Sequence, residues 1–289
     1  MSDLGGRGPG VAVLVVNYRT PGATVRAVRS VVADPEVAEV VVVDNASGDG
    51  SAEELREAFA GAPAVVVVAA PTNLGFGRGV NLAARRSRAP LLLVLNSDAE
   101  VGEPGIGPLV GALAHDPGAA LVAPEVRRPD GTPQPDAYGR LPRLGPLDRG
   151  WGRPGPGDDA RPGWVSGVAM LVRREDFEAV GGFDPDFAMY LEDVDLCRRL
   201  AARGRWLARE PGAVVTHVGG ASTRSRADRV ALYHASKVRY LEKAGAGWGP
   251  VTLARAVAVG RVGAARLAAR LGDRHRGPPA EGSPSRNHA

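Results

Sequence analysis

The chain has 289 residues, 36 Lys and Arg against 32 Asp and Glu, and a net charge of +4. With 44% hydrophobic and 24% charged residues it has the balance of a globular protein with a real core, which excludes a wholly disordered chain. A single cysteine, Cys197, excludes a disulfide scaffold, and no run reaches the roughly 18 apolar residues of a spanning helix, which excludes a polytopic membrane protein.

Met1–Gly10 is Gly-rich without the apolar core of a signal peptide, and reads as a flexible N-terminus on a cytoplasmic protein. Val11–Val16 is a short apolar run ending in Asn17, and Pro21-Gly22 opens a helical pattern to Ala33. Val40–Val43 ends in Asp44-Asn45. Ser51–Ala60 reads as a helix capped by Ser51, with Glu54 three residues on. Val65–Ala69 precedes Asn73-Leu74-Gly75, Gly77–Ser87 is helical, and Leu91–Leu95 ends in Asn96-Ser97-Asp98. Continuous apolar runs alternating with helices predict an α/β fold, a mostly parallel sheet covered on both faces. Ligands of such sheets bind beyond the carboxyl ends of the strands, and there every run is followed by a polar residue: Asn17, Asp44, Asn73 and Asp98.

Gly102–Asp116 reads as a weak helix and Leu121–Val126 as a strand. Pro129–Gly163 is rich in Pro and Gly without periodicity, which marks a mobile or functional segment. Trp164–Val172 is strand-like, Leu191–Arg203 a helix stopped by Gly204, and Trp206–Ala208 and Ala213–His217 short strands. Ala227–Ala244 and Val251–Leu271 read as helices. The expected organisation is a main domain over 11–220, a helical extension over 221–276 and a disordered tail over 277–289.

Residues 221–289 carry 13 Lys and Arg against 4 Asp and Glu, which leaves the body mildly acidic. A basic extension suits an anionic membrane surface or a phosphate-bearing acceptor. Nucleic acid is disfavoured, since no binding motif accompanies the charge. Arg255, Arg266 and Arg270 share one sector of the last helix, opposite Val, Leu and Ala, with Arg261 elsewhere. That pattern fits a helix lying on a membrane, and equally a helix packed on the domain with a solvated basic face.

Several constellations carry chemistry, each with a plainer alternative. Asp44 can accept from a ribose or a base, or simply cap a turn. Asn73-Leu74-Gly75-Phe76-Gly77-Arg78-Gly79 lets backbone approach an anion, with Arg78 as a phosphate contact; Val80 breaks the dinucleotide fingerprint, and Gly-rich turns are common. Asn96-Ser97-Asp98 can hold a cation on a diphosphate or form an Asx turn. Glu192, Asp193 and Asp195 suit the first turn of a helix, yet three carboxylates exceed what the dipole needs, and one facing a cleft is a general base. His217 ends a strand and becomes a ligand only if Asp98 is near. Cys197, among apolar positions, reads as a buried thiol.

Taken together the sequence resembles the inverting family 2 nucleotide-sugar glycosyltransferases of the GT-A fold. The matching pieces are Val15-Val16-Asn17-Tyr18, Val43–Ser47, Asn73–Phe76, Leu95–Asp98, Trp164–Gly167, Gly181–Asp184, Met189–Leu196 and His217–Gly220. Within the family it is most similar to bacterial rhamnosyltransferases of cell-wall or surface polysaccharide. The resemblance implies that Asn17, Asp44, Asn73, Gly75, Arg78, Asn96, Ser97 and Asp98 bind the donor. It implies that Asp98 and His217 hold a divalent metal, Mg or Mn, and that Trp164, Ser166 and Gly167 border the acceptor. Asp193 matches the catalytic base, with Glu192 beside it. Asn96 departs from the Asp that many members carry, and is a neutral, weaker ligand.

The implied reaction moves a sugar, rhamnose from dTDP-rhamnose as the first choice, onto a hydroxyl of a glycan or lipid-linked acceptor at the inner face of the cell membrane. Two alternatives stay open. A nucleotidyltransferase of sugar metabolism would carry a Gly-rich basic loop after the first strand, where Asn17–Pro21 stands instead. A non-catalytic sugar-nucleotide-binding module would not need Asp98, Asp193 and His217.

Overall fold

A computed structural model describes residues 10–142, 160–219 and 225–275. The expected flexible N-terminus (apart from Gly10), the tail over 277–289, Gly220 and the middle of the Pro129–Gly163 segment lie outside the described residues, as does the Arg270 side chain.

The Val-rich runs form the strands that their composition predicts. In chain order the elements are β1 (Val11–Asn17), α1 (Pro21–Arg29), β2 (Val37–Asp44), α2 (Ser51–Ala58), β3 (Val65–Ala69), α3 (Phe76–Arg86) and β4 (Leu91–Asn96). There follow β5 (Ala99–Val101), α4 (Gly107–His115), β6 (Ala119–Arg127), β7 (Tyr138–Gly139), β8 (Trp164–Val165) and β9 (Ala169–Arg173). The last elements are α5 (Arg174–Ala179), α6 (Glu192–Ala202), β10 (Trp206–His217), α7 (Arg226–Lys243) and α8 (Trp248–His275).

Eight strands form one sheet in the order β3-β2-β1-β4-β9-β6-β10-β5. It is mixed but mostly parallel: β9 runs antiparallel to β4 and β6, and β5 antiparallel to β10. Successive residues of a strand face opposite sides, and both sides are buried here. Ala12, Leu14 and Val16 pack with Val80, Ala83, Val194 and Leu200 of α3 and α6. Val11, Val13 and Val15 pack with Val28, Leu55 and Leu109 of α1, α2 and α4. Each buried Val or Leu among them contributes about 1.5–3 kcal/mol by leaving water.

Several expectations need correction. Gly50, at φ 89°, is the N-cap of α2, and Ser51 is its first residue, with backbone and hydroxyl both donating to Asp49. The reciprocal Ser51–Glu54 cap is therefore not formed; a left-handed cap favours glycine. The first half of Gly102–Asp116 is a loop, because Pro104 and Gly105 delay α4, and β5 precedes it. Trp164–Val172 divides at Ser166–Val168 into β8 and β9. The two short strands near the end of the sheet are one, β10, with a register break between Glu210 and Val214 where Pro211 and Gly212 interrupt the ladder. Cys197 is buried, and burial pushes its thiol up to about 12, so it is inert.

Helix α7 packs back on the main domain. Lys243 pairs with Asp184 and Asp195, Arg239 with Asp186, and Ser236 Oγ donates to the Met189 carbonyl at 2.7 Å. The helical extension is thus fastened to the segment that leads into α6.

Candidate active site

At the carboxyl ends of the strands lies a cleft of about 700 Å³, within the usual range for small-molecule sites. Its walls come from the ends of β1, β2, β4 and β10, the loops before α3 and α6, and the start of α6.

One wall is set by Asn45. Its Nδ2 donates to Asn73 Oδ1 (3.2 Å) and the Gly75 carbonyl (3.3 Å), while its Oδ1 accepts from Leu74 N (2.7 Å). This staples the Asn73–Gly75 loop to the end of β2. Gly75 sits at φ 79°, and a Cβ there would lie 2.5 Å from the Ala188 carbonyl oxygen, so only glycine allows this approach. Asn45 was not singled out from sequence, because it reads as an ordinary turn residue beside Asp44.

Asn17 and Asp44 lie behind this wall. Asn17 donates to Asp44 Oδ1 (2.8 Å) and accepts from Thr24 Oγ1 (2.9 Å), and Ser47 donates its hydroxyl to Asp44 Oδ1 (2.6 Å). Both are buried and neither lines the cleft. Arg78 is exposed, outside the lining of the cleft, and donates to the Pro185 carbonyl at 2.7 Å.

The second wall joins residues far apart in the chain. After β4, Asn96-Ser97-Asp98 turns the chain back into β5, which pairs antiparallel with β10 so that Ala99 faces His217. Asp98 Oδ1 then lies 3.2 Å from His217 Nε2, with Asn96 Nδ2 at 3.4 Å. His217 Nδ1 lies 2.8 Å from Gln134 Oε1. An amide oxygen only accepts, so Nδ1 carries a hydrogen, and Nε2 is the ring nitrogen turned to Asp98 and Asn96. A carboxylate oxygen and an imidazole nitrogen at this separation share either a proton or a metal cation. The Asp98–His217 pair therefore fits a divalent cation, with Asn96 as a weaker neighbour. Among the described residues no three or more His, Cys, Asp or Glu side chains are grouped so that they could hold a metal ion, so further ligands would come from a bound phosphate and water.

The third wall carries the acids. Asp193 Oδ2 accepts from Gly167 N at 2.9 Å, and Oδ1 from Val194 N at 2.8 Å. Burial raises its pKa, and the two N–H groups oppose that rise. Glu192 is buried with Oε2 unpartnered; burial and the neighbouring Asp193 push it up to about 8. The two acids are coupled: charge on Asp193 disfavours charge on Glu192, while the two N–H bonds favour the charged form of Asp193. Asp195 points elsewhere, fully buried in ion pairs with Arg199 (2.7 Å) and Lys243 (3.2 Å). Trp164, Ser166 and Gly167 border the same wall, together with Met189, Tyr190 and Tyr233. Tyr190 and Leu191 both hold left-handed backbone, at φ 72° and 66°, immediately before Glu192. Such conformations cost about 1–3 kcal/mol each, and contacts to α7 hold them.

The cleft thus gathers Asn73, Gly75, Asn96, Ser97, Asp98, Trp164, Ser166, Gly167, Glu192, Asp193 and His217. It also includes Gln134 and Asp136, which lie in the Pro/Gly-rich segment and carry no sequence pattern.

The model of the family described as "Glycosyl transferase family 2" matches residues 12–195. The chain belongs to glycosyl transferase family 2. This glycosyltransferase is 33% identical over 244 residues to the N-acetylglucosaminyl-diphospho-decaprenol L-rhamnosyltransferase of Mycobacterium tuberculosis, covering 72% of this chain and 76% of the relative. It is 40% identical over 81 residues to the rhamnosyltransferase WbbL of Escherichia coli, covering 28% and 31%. Among solved structures, the mannosyltransferase PcManGT of Pyrobaculum calidifontis, in complex with GDP-Man and Mn2+, superposes with a TM-score of 0.57 at 22% identity, covering 91% of this chain and 75% of that one. GalNAc-T7 with UDP, GalNAc and Mn2+ superposes with a TM-score of 0.62 at 19% identity, covering 79% and 48%, so the glycosyltransferase spans about half of that chain. These likenesses show the GT-A fold, and the family membership makes the protein a nucleotide-sugar glycosyltransferase, rhamnosyltransferase-like in sequence.

Proposed function

We propose that this glycosyltransferase transfers rhamnose from dTDP-rhamnose to a hydroxyl of a lipid-linked acceptor, with inversion. The observation that carries the reading is the placement of Asp193 on the wall of the cleft that also holds the Asp98–His217 pair. The similarity to a rhamnosyltransferase whose name gives a diphospho-decaprenol acceptor supports the choice of sugar and acceptor.

Asp193 takes the proton from the acceptor hydroxyl as its oxygen bonds to the sugar's anomeric carbon. The bond from that carbon to the diphosphate breaks on the opposite face, and its electron pair leaves with the nucleoside diphosphate. Gly167 and Val194 hold the carboxylate of Asp193 in place, and neutral Glu192 adds no second charge beside it. Asp98 and His217 would hold the divalent cation, which supplies charge neutralisation to the leaving diphosphate. The Asn45-stapled loop, with Asn73 and Gly75, faces the nucleotide, while Asn17 and Asp44 support it from behind. Trp164 to Gly167 face the acceptor.

No helix among the described residues is long and apolar enough to cross a membrane. The described exposed large apolar side chains are Val66, Val218 and five on α8: Trp248, Leu253, Val257, Val259 and Leu267. On a helical projection Leu267, Leu253 and Val257 share an outward arc bordered by Arg261, while Val259 lies in the sector of Arg255 and Arg266. This supports peripheral contact of α8 with an anionic inner leaflet.

The test is incubation with dTDP-rhamnose, Mg or Mn, and a prenyl-diphosphate-linked N-acetylglucosamine. Release of dTDP together with an inverted rhamnosyl product is expected. Release of pyrophosphate, or donor binding with no product on any acceptor, overturns the reading.

A further inference from the structure

A shallow groove continues from the acceptor side of the cleft across α7, lined by Tyr190, Arg229, Val230, Tyr233 and His234. Tyr190 and Tyr233 line the cleft as well, so the two spaces share a wall, whereas Asp98 and His217 line the cleft alone. The spacing of Arg229, Val230, Tyr233 and His234 places them on one face of α7. The Tyr233 ring meets Tyr190 edge-on at 6.3 Å and His234 at 5.5 Å, which forms an aromatic strip. One turn past Tyr233 stands Lys237, and α8 brings Arg261 close. The charges of these two residues, added to burial, hold the His234 imidazole below its usual value.

The strip therefore leads from the wall beside Asp193 into a cationic cluster. Aromatic rings accept the apolar face of a pyranose, and grouped cations with N–H donors bind diphosphate oxygens. The donor's diphosphate already has its place at Asp98 and His217 in the reading above, so a second anion site opening into the same cleft matches an anionic acceptor. Arg261 also borders the outward apolar arc of α8, which sets the cluster where a membrane-embedded tail would end.

We propose that the groove of Arg229, Tyr233 and His234, with Lys237 and Arg261 beyond it, holds the diphosphate of a prenyl-diphosphate-linked sugar. Its sugar lies over Tyr190 and Tyr233 with a free hydroxyl toward Asp193. The diphosphate is a spectator: no bond to it is made or broken. The assignment rests on the transfer reading for the role of the acceptor, but the anion site itself is open to direct measurement.

Titration calorimetry in EDTA with farnesyl diphosphate and with inorganic pyrophosphate tests it. Wild type binds farnesyl diphosphate. An Arg229→Ala/His234→Ala double variant binds it at least about tenfold more weakly, while Asp98→Asn and Arg229→Lys stay within a few-fold. In steady state the double variant raises KM for prenyl-diphosphate-linked N-acetylglucosamine by about tenfold and leaves KM for octyl N-acetylglucosaminide and for the donor unchanged. No binding to wild type, equal binding by the double variant, or equal rises in KM for both acceptors overturns the proposal. Pyrophosphate binding as tightly as farnesyl diphosphate overturns the lipid source and assigns the groove to a soluble anion. If wild type consumes neither acceptor yet the binding difference persists, the transfer reading fails and the diphosphate site stands.

Discussion

The backbone N–H of Gly167 lies 2.9 Å from Asp193 Oδ2, and this bond joins the β8–β9 turn to the first turn of α6. It favours the charged form of a buried carboxylate against the effect of burial, and fixes which way it faces. Asp193→Asn keeps an acceptor for Gly167, so the loop stays in place while the base is lost. Turnover should fall by about 10²–10⁴ with donor affinity unchanged. Because burial raises the Asp193 pKa, the acid limb of kcat/KM should lie above the ordinary aspartate range, with activity falling as pH drops through it. Turnover of the variant within a few-fold of wild type would remove Asp193 from its role.

Glu192 gives a stability prediction. Its pKa is about 8 in the folded chain against an ordinary value of 4.5. Between these values the folded chain keeps a proton that the unfolded chain has released. The stabilisation from this group is full below pH 4.5 and is lost as pH rises through 8, with a slope of at most about 1.4 kcal/mol per pH unit. Glu192→Gln removes that slope, so urea midpoints at pH 6 and pH 8.5 should lie closer together than in wild type.

Gln134 fixes the His217 tautomer through the 2.8 Å bond to Nδ1. Gln134→Ala should lower Mn2+ affinity by about 10–100-fold, the usual effect of removing an outer partner of a ligating histidine. Gln134→Glu, which keeps an acceptor, should retain most of it. Calorimetry with Mn2+ and imidazole 15N shifts would check both affinity and tautomer.

Ser236 donates to the Met189 carbonyl from a buried position on α7. Ser236→Ala should cost about 1 kcal/mol and lower Tm by about 2–4 °C. It should also lower kcat more than it raises donor KM, because the left-handed pair Tyr190–Leu191 loses a restraint next to Asp193. A change in Tm with kcat untouched would confine Ser236 to stability.

For α8, replacing Leu253 and Leu267 by Glu should abolish flotation with phosphatidylglycerol vesicles while leaving the melting curve near that of wild type. Equal flotation of the double variant would show that the outward arc does not meet lipid.

Much of the fold was legible because strands buried on both faces read as unbroken runs of Val and Leu. The polar residues following them marked the rim where the cleft lies. What escaped was what depends on distant contacts. β5 is three residues long and has no pattern of its own; it exists because β10 offers it a partner. Gln134 lies in a segment of Pro and Gly, and only the fold shows that it reaches His217. Among the three acids that open α6, helical geometry sends Asp195 to Arg199 and Lys243, and that division appears only once those cations are in place. The direction of the Arg78 guanidinium, which turns to Pro185, is likewise set by a residue far along the chain.

The short edge strand β5 has a consequence for how occupancy and folding are linked. It ties Asp98 to His217 through a ladder only three residues long, at the margin of the sheet where fraying is easiest. A ligand clasped by both side chains would stitch that margin shut. Amide hydrogen exchange at Ala99, Glu100 and Val101 should therefore slow on donor loading well before the centre of the sheet responds, making the hem of the sheet a gauge of whether the enzyme is charged.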